Sequence, residues 1–186
     1  MKIINLHQQY NDNIRLACEN NRQAQQLIYS RFSAKMLGVC RQYIKDVQLA
    51  EDVMITAFMK VFVNIKNFEN KGSFEGWIRR IMVNECISYI RVHKKIQFID
   101  DENYQPESFN NTESQLSIDD IQFLIDQLPD GYKMVFNLYC IEGYKHHEIA
   151  TMLNINEGTS KSQLSHARKI LQQQIAKLKN YENGTE

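Results

Sequence analysis

Apolar residues recur at steps of three and four along almost all of the 186-residue chain. That is the period of amphipathic helices, not the alternation of strands. The pattern predicts a first helix over about 10–20 and a longer one over about 22–45. The second carries Leu27, Ile28, Phe32, Met36, Leu37, Cys40, Tyr43 and Ile44 on a broad apolar stripe. Asp46 is placed to cap a third helix over about 48–67, with Leu49, Val53, Ala57, Val61 and Ile65 as its apolar positions. The polar run Glu69-Asn70-Lys71-Gly72-Ser73 reads as a loop, and a fourth helix is expected over about 74–95.

Periodicity fails over 98–117, an acidic, amide-rich stretch containing Pro106 that reads as a linker. Helices resume over about 118–127, started by Ser117 with Asp120 in a loose capping box, and over about 130–142, closed by Gly143. Two more are expected over about 145–153 and 157–179. The fold class is therefore all-α: two small helical domains, 1–97 and 118–186, joined by the linker, the second domain carrying a helix-turn-helix. With only seven Gly and two Pro the chain lacks the turns an all-β fold needs.

Charge refines this picture. The 22 basic and 22 acidic side chains cancel overall but are segregated. Residues 1–100 are net +6, 101–128 net −7 without a single Lys or Arg, and 129–186 net +1. Asymmetry of this kind points to a polyanionic partner. No apolar run approaches the roughly 20 residues of a membrane span, and Lys2 starts no signal-peptide pattern, so membrane insertion is not expected. Cys18, Cys40, Cys86 and Cys140 form no C-x-x-C pair and read as reduced thiols of a cytoplasmic protein.

The run from Tyr144 to Leu164 has helix-turn-helix spacing. Ile149, Ala150 and Leu153 form the inner face of the first helix, and Asn154-Ile155-Asn156 makes the turn. In the last helix Ser160, Leu164, Ala167, Leu171, Ile175 and Leu178 define a buried stripe. With Leu164 inward, Thr159, Ser162, His166 and Lys169 should point outward, flanked by Lys161, Gln163 and Ser165. Short polar and cationic residues at a helix N-terminus suit phosphates and base edges in a major groove. The plainer reading of such a stripe is a solvated face. In the N-terminal half, Arg79, Arg80, Arg91, Lys94 and Lys95 face a single acid, Glu85, over 77–95. Trp77, Asn84 and Tyr89 are interleaved with them, a mixture suited to backbone phosphates and unstacked bases, although a tryptophan there also serves a core.

The runs Ala50-Glu51-Asp52-Val53, Phe58 to Phe62, Gly72 to Asn84 and Tyr89-Ile90-Arg91 resemble region 2 of bacterial RNA polymerase sigma factors of the extracytoplasmic-function (ECF) type. Gln127-Leu128-Pro129, Glu142-Gly143-Tyr144 and Glu157 to Arg168 resemble region 4 of the same family. The resemblance implies a promoter-specificity subunit that binds core RNA polymerase and promoter DNA. It needs no cofactor, metal or catalytic residue, and a sequestering anti-sigma factor can control it. On these positions it implies polymerase docking through Asp52, Thr56 and Lys60. Recognition of the −10 element would fall to Asn70, Lys71, Trp77, Arg79, Arg80, Asn84, Arg91, Lys94 and Lys95. Recognition of the −35 element would fall to Thr159, Lys161, Ser162, Gln163, Ser165, His166 and Lys169. Departures from the family pattern are Ile55 and Thr56 where Gln and an acid are frequent, Gln163 and His166 where Arg is frequent, and Ser160 where Val is frequent.

Other classes fit less well. His147-Glu148 begins like a zinc-protease motif, but Thr151 stands where the second histidine belongs. His146 and His147 point to different sides of their helix and are expected to be exposed. Gly158-Thr159-Ser160-Lys161 lacks the order of a phosphate-binding loop. A stand-alone dimeric helix-turn-helix regulator and a helical adaptor with incidental basic faces remain as alternatives.

Overall fold

The computed structural model describes residues 12–93, Phe98 and 117–182, with the side chains of 118, 119 and 179–182 left aside. All regular structure among the described residues is helical. The chain divides into two compact units, Met1–His93 and Lys94–Glu186.

In the first unit a short helix α1 (12–18) precedes α2 (Arg22–Tyr43), α3 (Val47–Asn64) with a 3-10 turn at Ile65–Asn67, and α4 (Phe74–His93). The starts of the helices are set locally. Asn21 Oδ1 accepts from the Ala24 amide at 3.0 Å and Asp46 Oδ1 from the Leu49 amide at 2.9 Å. Ser73 Oγ accepts from the Gly76 amide at 3.0 Å at the start of α4. Each such cap contributes about 1 kcal/mol. Helices α2, α3 and α4 all pack on one another. Their shared core is Ile28, Phe32 and Met36 from α2, Ala57, Phe58 and Val61 from α3, and Ile78, Met82 and Ile87 from α4, all buried. Each large side chain contributes roughly 1.5–3 kcal/mol by leaving water. Leu27 and Leu49, expected on the apolar stripes, are instead 55% and 41% exposed.

The second unit contains α5 (Ile118–Asp126), α6 (Asp130–Phe136), a π turn (Asn137–Ile141), α7 (His146–Leu153) and α8 (Glu157–Glu182). The Ser117–Asp120 capping box forms in both directions. Gly143, at φ +77°, ends the π turn in a conformation that suits glycine. Asn154 closes α7 in the left-handed region (φ 55°, ψ 51°), and the Ile155 amide donates to the Ala150 carbonyl at 3.0 Å. This is the helix-turn-helix corner, with Asn taking the place glycine often fills. Helix α8 packs against both α6 and α7. Val135, Leu138, Ile149, Leu164 and Ala167 form the core between them. Lys133, 4% exposed, pairs there with Asp126. Leu178, expected on the buried stripe, is 37% exposed beyond that core.

Candidate nucleic-acid interface

Helix α4 carries two different faces. Phe74, Ile78, Met82, Cys86 and Ile90 are buried, with Val83 and Ile87 widening the apolar side. Arg80, Asn84, Ser88 and Arg91 recur at steps of four, four and three and are all exposed, so they form one stripe along the opposite side. Arg79 lies off that stripe and is half-buried. Lys94 and Lys95 lie outside the described residues. Trp77 sits at the N-terminal end of the stripe, half-buried in an aromatic cluster. Its ring stacks on Phe74 at 5.6 Å with an interplanar angle of 19° and meets Phe68 at 5.7 Å. The core reading of Trp77 therefore holds in part: the ring anchors the end of α4 without being fully covered.

The loop before α4 is shaped by two residues with positive φ, Asn70 at 55° and Gly72 at 107°. Asn70 and Lys71 are exposed, and Lys71 pairs with Glu69 at 2.6 Å, both side chains largely in solvent. Such a pair contributes little to stability and gives way readily to another anion.

Asp52, Thr56 and Lys60 share an exposed face of α3. Thr56 Oγ1 donates to the Asp52 carbonyl at 2.9 Å, and Lys60 pairs with Glu85 of α4. Between these polar residues stand Ile55, Met59 and Val63, which are 45%, 63% and 78% exposed. At steps of four they make an apolar ridge that reading the polar positions missed. Its signal in the sequence is a helix with more apolar positions than one buried stripe can take up, so that a small unit leaves some of them exposed.

The second unit corrects the expected reading face. Thr159, Ser162 and Gln163 are buried (6%, 1% and 0% exposed), although periodicity placed the first two outward and the third on a flank. The reason is that α8 lies against more than one helix, so its covered arc is wider than a single stripe centred on Leu164. The Ser162 hydroxyl donates to the Thr159 carbonyl at 3.0 Å, satisfying it within the helix. Lys161 and Lys169 are exposed, Ser165 is half-buried, and the half-buried His166 stacks on Tyr132 at 5.5 Å. Lys161 pairs with Glu157 at 2.7 Å, and this hydrogen-bonded ammonium holds the Glu157 carboxyl below its ordinary value.

His146 also departs from expectation. It is half-buried, its Nδ1 lies 2.9 Å from Ser160 Oγ, and its ring stacks on Tyr139 at 4.5 Å. Burial, with Lys161 nearby, lowers its pKa. In the first unit, Cys40 and Cys86 are buried, and the hydrogen-bonded Cys40 thiol together with burial pushes the Cys86 thiol up, toward an inert form. Among the described residues no group of three His, Cys, Asp or Glu side chains is placed to hold a metal ion. No helix among them is long and apolar enough to cross a membrane.

Two helical units, one with a basic, amide-bearing helix face headed by a half-buried tryptophan and one with a helix-turn-helix, have the make-up of a two-module DNA-binding protein. Comparison with known proteins gives the family. Residues 28–96 match Sigma-70 region 2, and residues 118–171 match Sigma-70, region 4. The chain is 30% identical over 162 residues to the ECF RNA polymerase sigma factor SigW of Bacillus subtilis, spanning 79% of this chain and 86% of that one. It is 29% identical over 135 residues to the RNA polymerase sigma factor SigV of the same organism, spanning 73% and 81%. The sigma factor RpoE of Bartonella quintana, solved with the anti-sigma factor NepR, shares the fold. The TM-score is 0.50 at 22% identity, covering 80% of this chain and 94% of that one. The chain belongs to the ECF sigma factors of RNA polymerase, and its function is promoter recognition.

Proposed function

We propose that the chain reads a promoter at two places while riding on core RNA polymerase, itself catalysing nothing and working in the cytoplasm. Residues 1–97 form the region 2 module, 98–117 the linker and 118–186 the region 4 module. The observation that carries this reading is the stripe on α4: Arg80, Asn84, Ser88 and Arg91 exposed in line, with the half-buried Trp77 at its head. Cations at both ends of such a stripe hold a strand's phosphates, and the amide between them, with the aromatic ring at the head, suits unstacked bases of a melted −10 element. Asn70 and Lys71 in the preceding loop border the same strand. Arg79 supports the helix from its half-buried position, and Lys94 and Lys95 extend the cationic run in sequence.

For the −35 element, the accessible edge of α8 is Lys161, Ser165, His166 and Lys169. These carry the direct contacts, while Thr159, Ser162 and Gln163 shape the first turns of the reading helix. Polymerase docking falls to the α3 face of Asp52, Thr56 and Lys60, with Ile55, Met59 and Val63 supplying the apolar area that an interface core needs. The Bartonella quintana relative is solved with an anti-sigma factor, and we extend that kind of partner to this chain. Each module alone binds weakly. Tethering both to one enzyme raises their effective concentration at a correctly spaced promoter.

The test is run-off transcription from a genomic fragment library with purified bacterial core polymerase, with and without this protein. Discrete new start sites that require the protein are the expected result. If no new start appears and the protein alone shifts a palindromic duplex as a dimer, the two-site reading is wrong.

A further inference from the structure

We propose that His146 is a positioning residue that fixes the register of the reading helix α8 against the first helix of the helix-turn-helix. This rests on the reading that α8 contacts the −35 element, and it concerns how that contact is held in place.

The buried position 160, fully enclosed at 0% exposure, carries a hydroxyl instead of an aliphatic group. A buried hydroxyl without a partner costs on the order of 1–3 kcal/mol. Ser160 is satisfied by His146 Nδ1 at 2.9 Å, so the first turn of α8 is tied to the first residue of α7 by a directional bond. The imidazole is itself held, stacked on Tyr139 at 4.5 Å and 23°. Tyr139 belongs to the π turn, where the Glu142 amide donates to the Asn137 carbonyl five residues back at 3.0 Å. Irregularities of this kind inside helices recur at functional sites.

The same tyrosine ring receives the Arg168 guanidinium at 5.7 Å. Helix α8 is therefore tied at two points, Ser160 through His146 and Arg168 through Tyr139. Eight residues separate them, about 12 Å along the axis. The buried Leu164 and Ala167 seat the helix, and the two directional ties add to that packing a fixed register. Each is followed directly by an exposed cation, Lys161 after Ser160 and Lys169 after Arg168. A shift of either tie displaces the charges that face DNA. Base-edge contacts tolerate little displacement, because hydrogen bonds weaken steeply with angle and distance. The lowered pKa of His146 keeps the ring neutral near pH 7, when it acts as a hydrogen-bonding partner and not as a cation.

The experiment is in vitro transcription with core polymerase on a promoter mapped by the run-off assay, comparing an intact upstream element with a scrambled one. The ratio of the two rates reads −35 discrimination. His146→Phe keeps a ring on Tyr139 and removes the bond to Ser160, and its ratio is expected to fall about ten-fold with the rate on the scrambled template unchanged. His146→Phe combined with Ser160→Val replaces the polar pair by an apolar one and is expected to recover most of the ratio. A loss of folding would lower both rates together, and in that event His146→Gln, which retains a hydrogen-bonding group, is expected to keep more of the ratio than His146→Ala. The proposal is overturned if His146→Phe discriminates like the wild type, if the double variant is no better than the single, or if Gln and Ala behave alike. A wild-type protein indifferent to scrambling overturns the −35 reading itself, and with it this role for His146.

Discussion

The two units handle the same problem differently. In the first, the side chains proposed to face partners and the side chains that hold the fold lie on opposite sides of their helices. Arg80, Asn84, Ser88 and Arg91 are exposed while Ile78, Met82 and Cys86 of the same helix are buried. In the second, the proposed reading helix α8 is also a core element, so Thr159, Ser160, Ser162 and Gln163 are covered within its first two turns. Recognition and stability should therefore separate cleanly by mutation in the first unit and stay entangled in the second.

The largest effect that would sharpen this contrast is on the α3 ridge. Met59→Glu is expected to weaken binding to core polymerase by about 2 kcal/mol, roughly thirty-fold, as loss of an interface anchor does. Its melting temperature should stay within the error of the wild type, since Met59 is 63% exposed. A coupled drop in melting temperature would break the separation claimed for the first unit. Next in size, Ser162→Leu forces three carbons into a site that is 1% exposed and is expected to cost about 1–2 kcal/mol in urea unfolding. If it unfolds like the wild type and only −35 recognition falls, the entanglement in the second unit is wrong.

Smaller effects follow from charge. Arg80→Ala should reduce the salt dependence of promoter-complex formation by about one unit of slope, uniformly across promoter sequences, as expected for a phosphate contact. A change confined to particular −10 sequences would instead assign Arg80 to base reading. The smallest effect concerns pH. The folded-state pKa of His146 lies below its ordinary value of 6.5, so the unfolded chain takes up the proton first. Its contribution is complete above pH 6.5 and is lost as pH falls from there through the folded pKa. Thermal unfolding between pH 7.5 and 5 should show a steeper decline for the wild type than for His146→Phe, and parallel curves would remove the histidine from that accounting.

Much of this was legible along the chain. Asp46, Ser117 with Asp120 and Gly143 mark helix ends by chemistry that acts over three or four residues, and each acts where it was expected. The buried series of α2, α3 and α4 follows periodicity, apart from Leu27 and Leu49. Asn84 and the arginines stand out in the sequence by type, but which of Arg79 and Arg80 is exposed was set only by the packing of α4. The apolar ridge of α3 was hidden by its own hydrophobicity, since Ile55, Met59 and Val63 look like core residues.

What the sequence determined by itself is the helical period, the caps, the segregation of charge and the motifs of two sigma regions, because these depend on neighbours within a few residues or on residue types in order. Only the tertiary structure decided which arc of α8 is covered and which side chains of α3 and α4 remain exposed. It also decided that His146, read as a surface histidine, meets Ser160 fourteen residues away. Those outcomes depend on how many helices press on each face. A periodicity measured along one helix carries no record of the second helix lying against it.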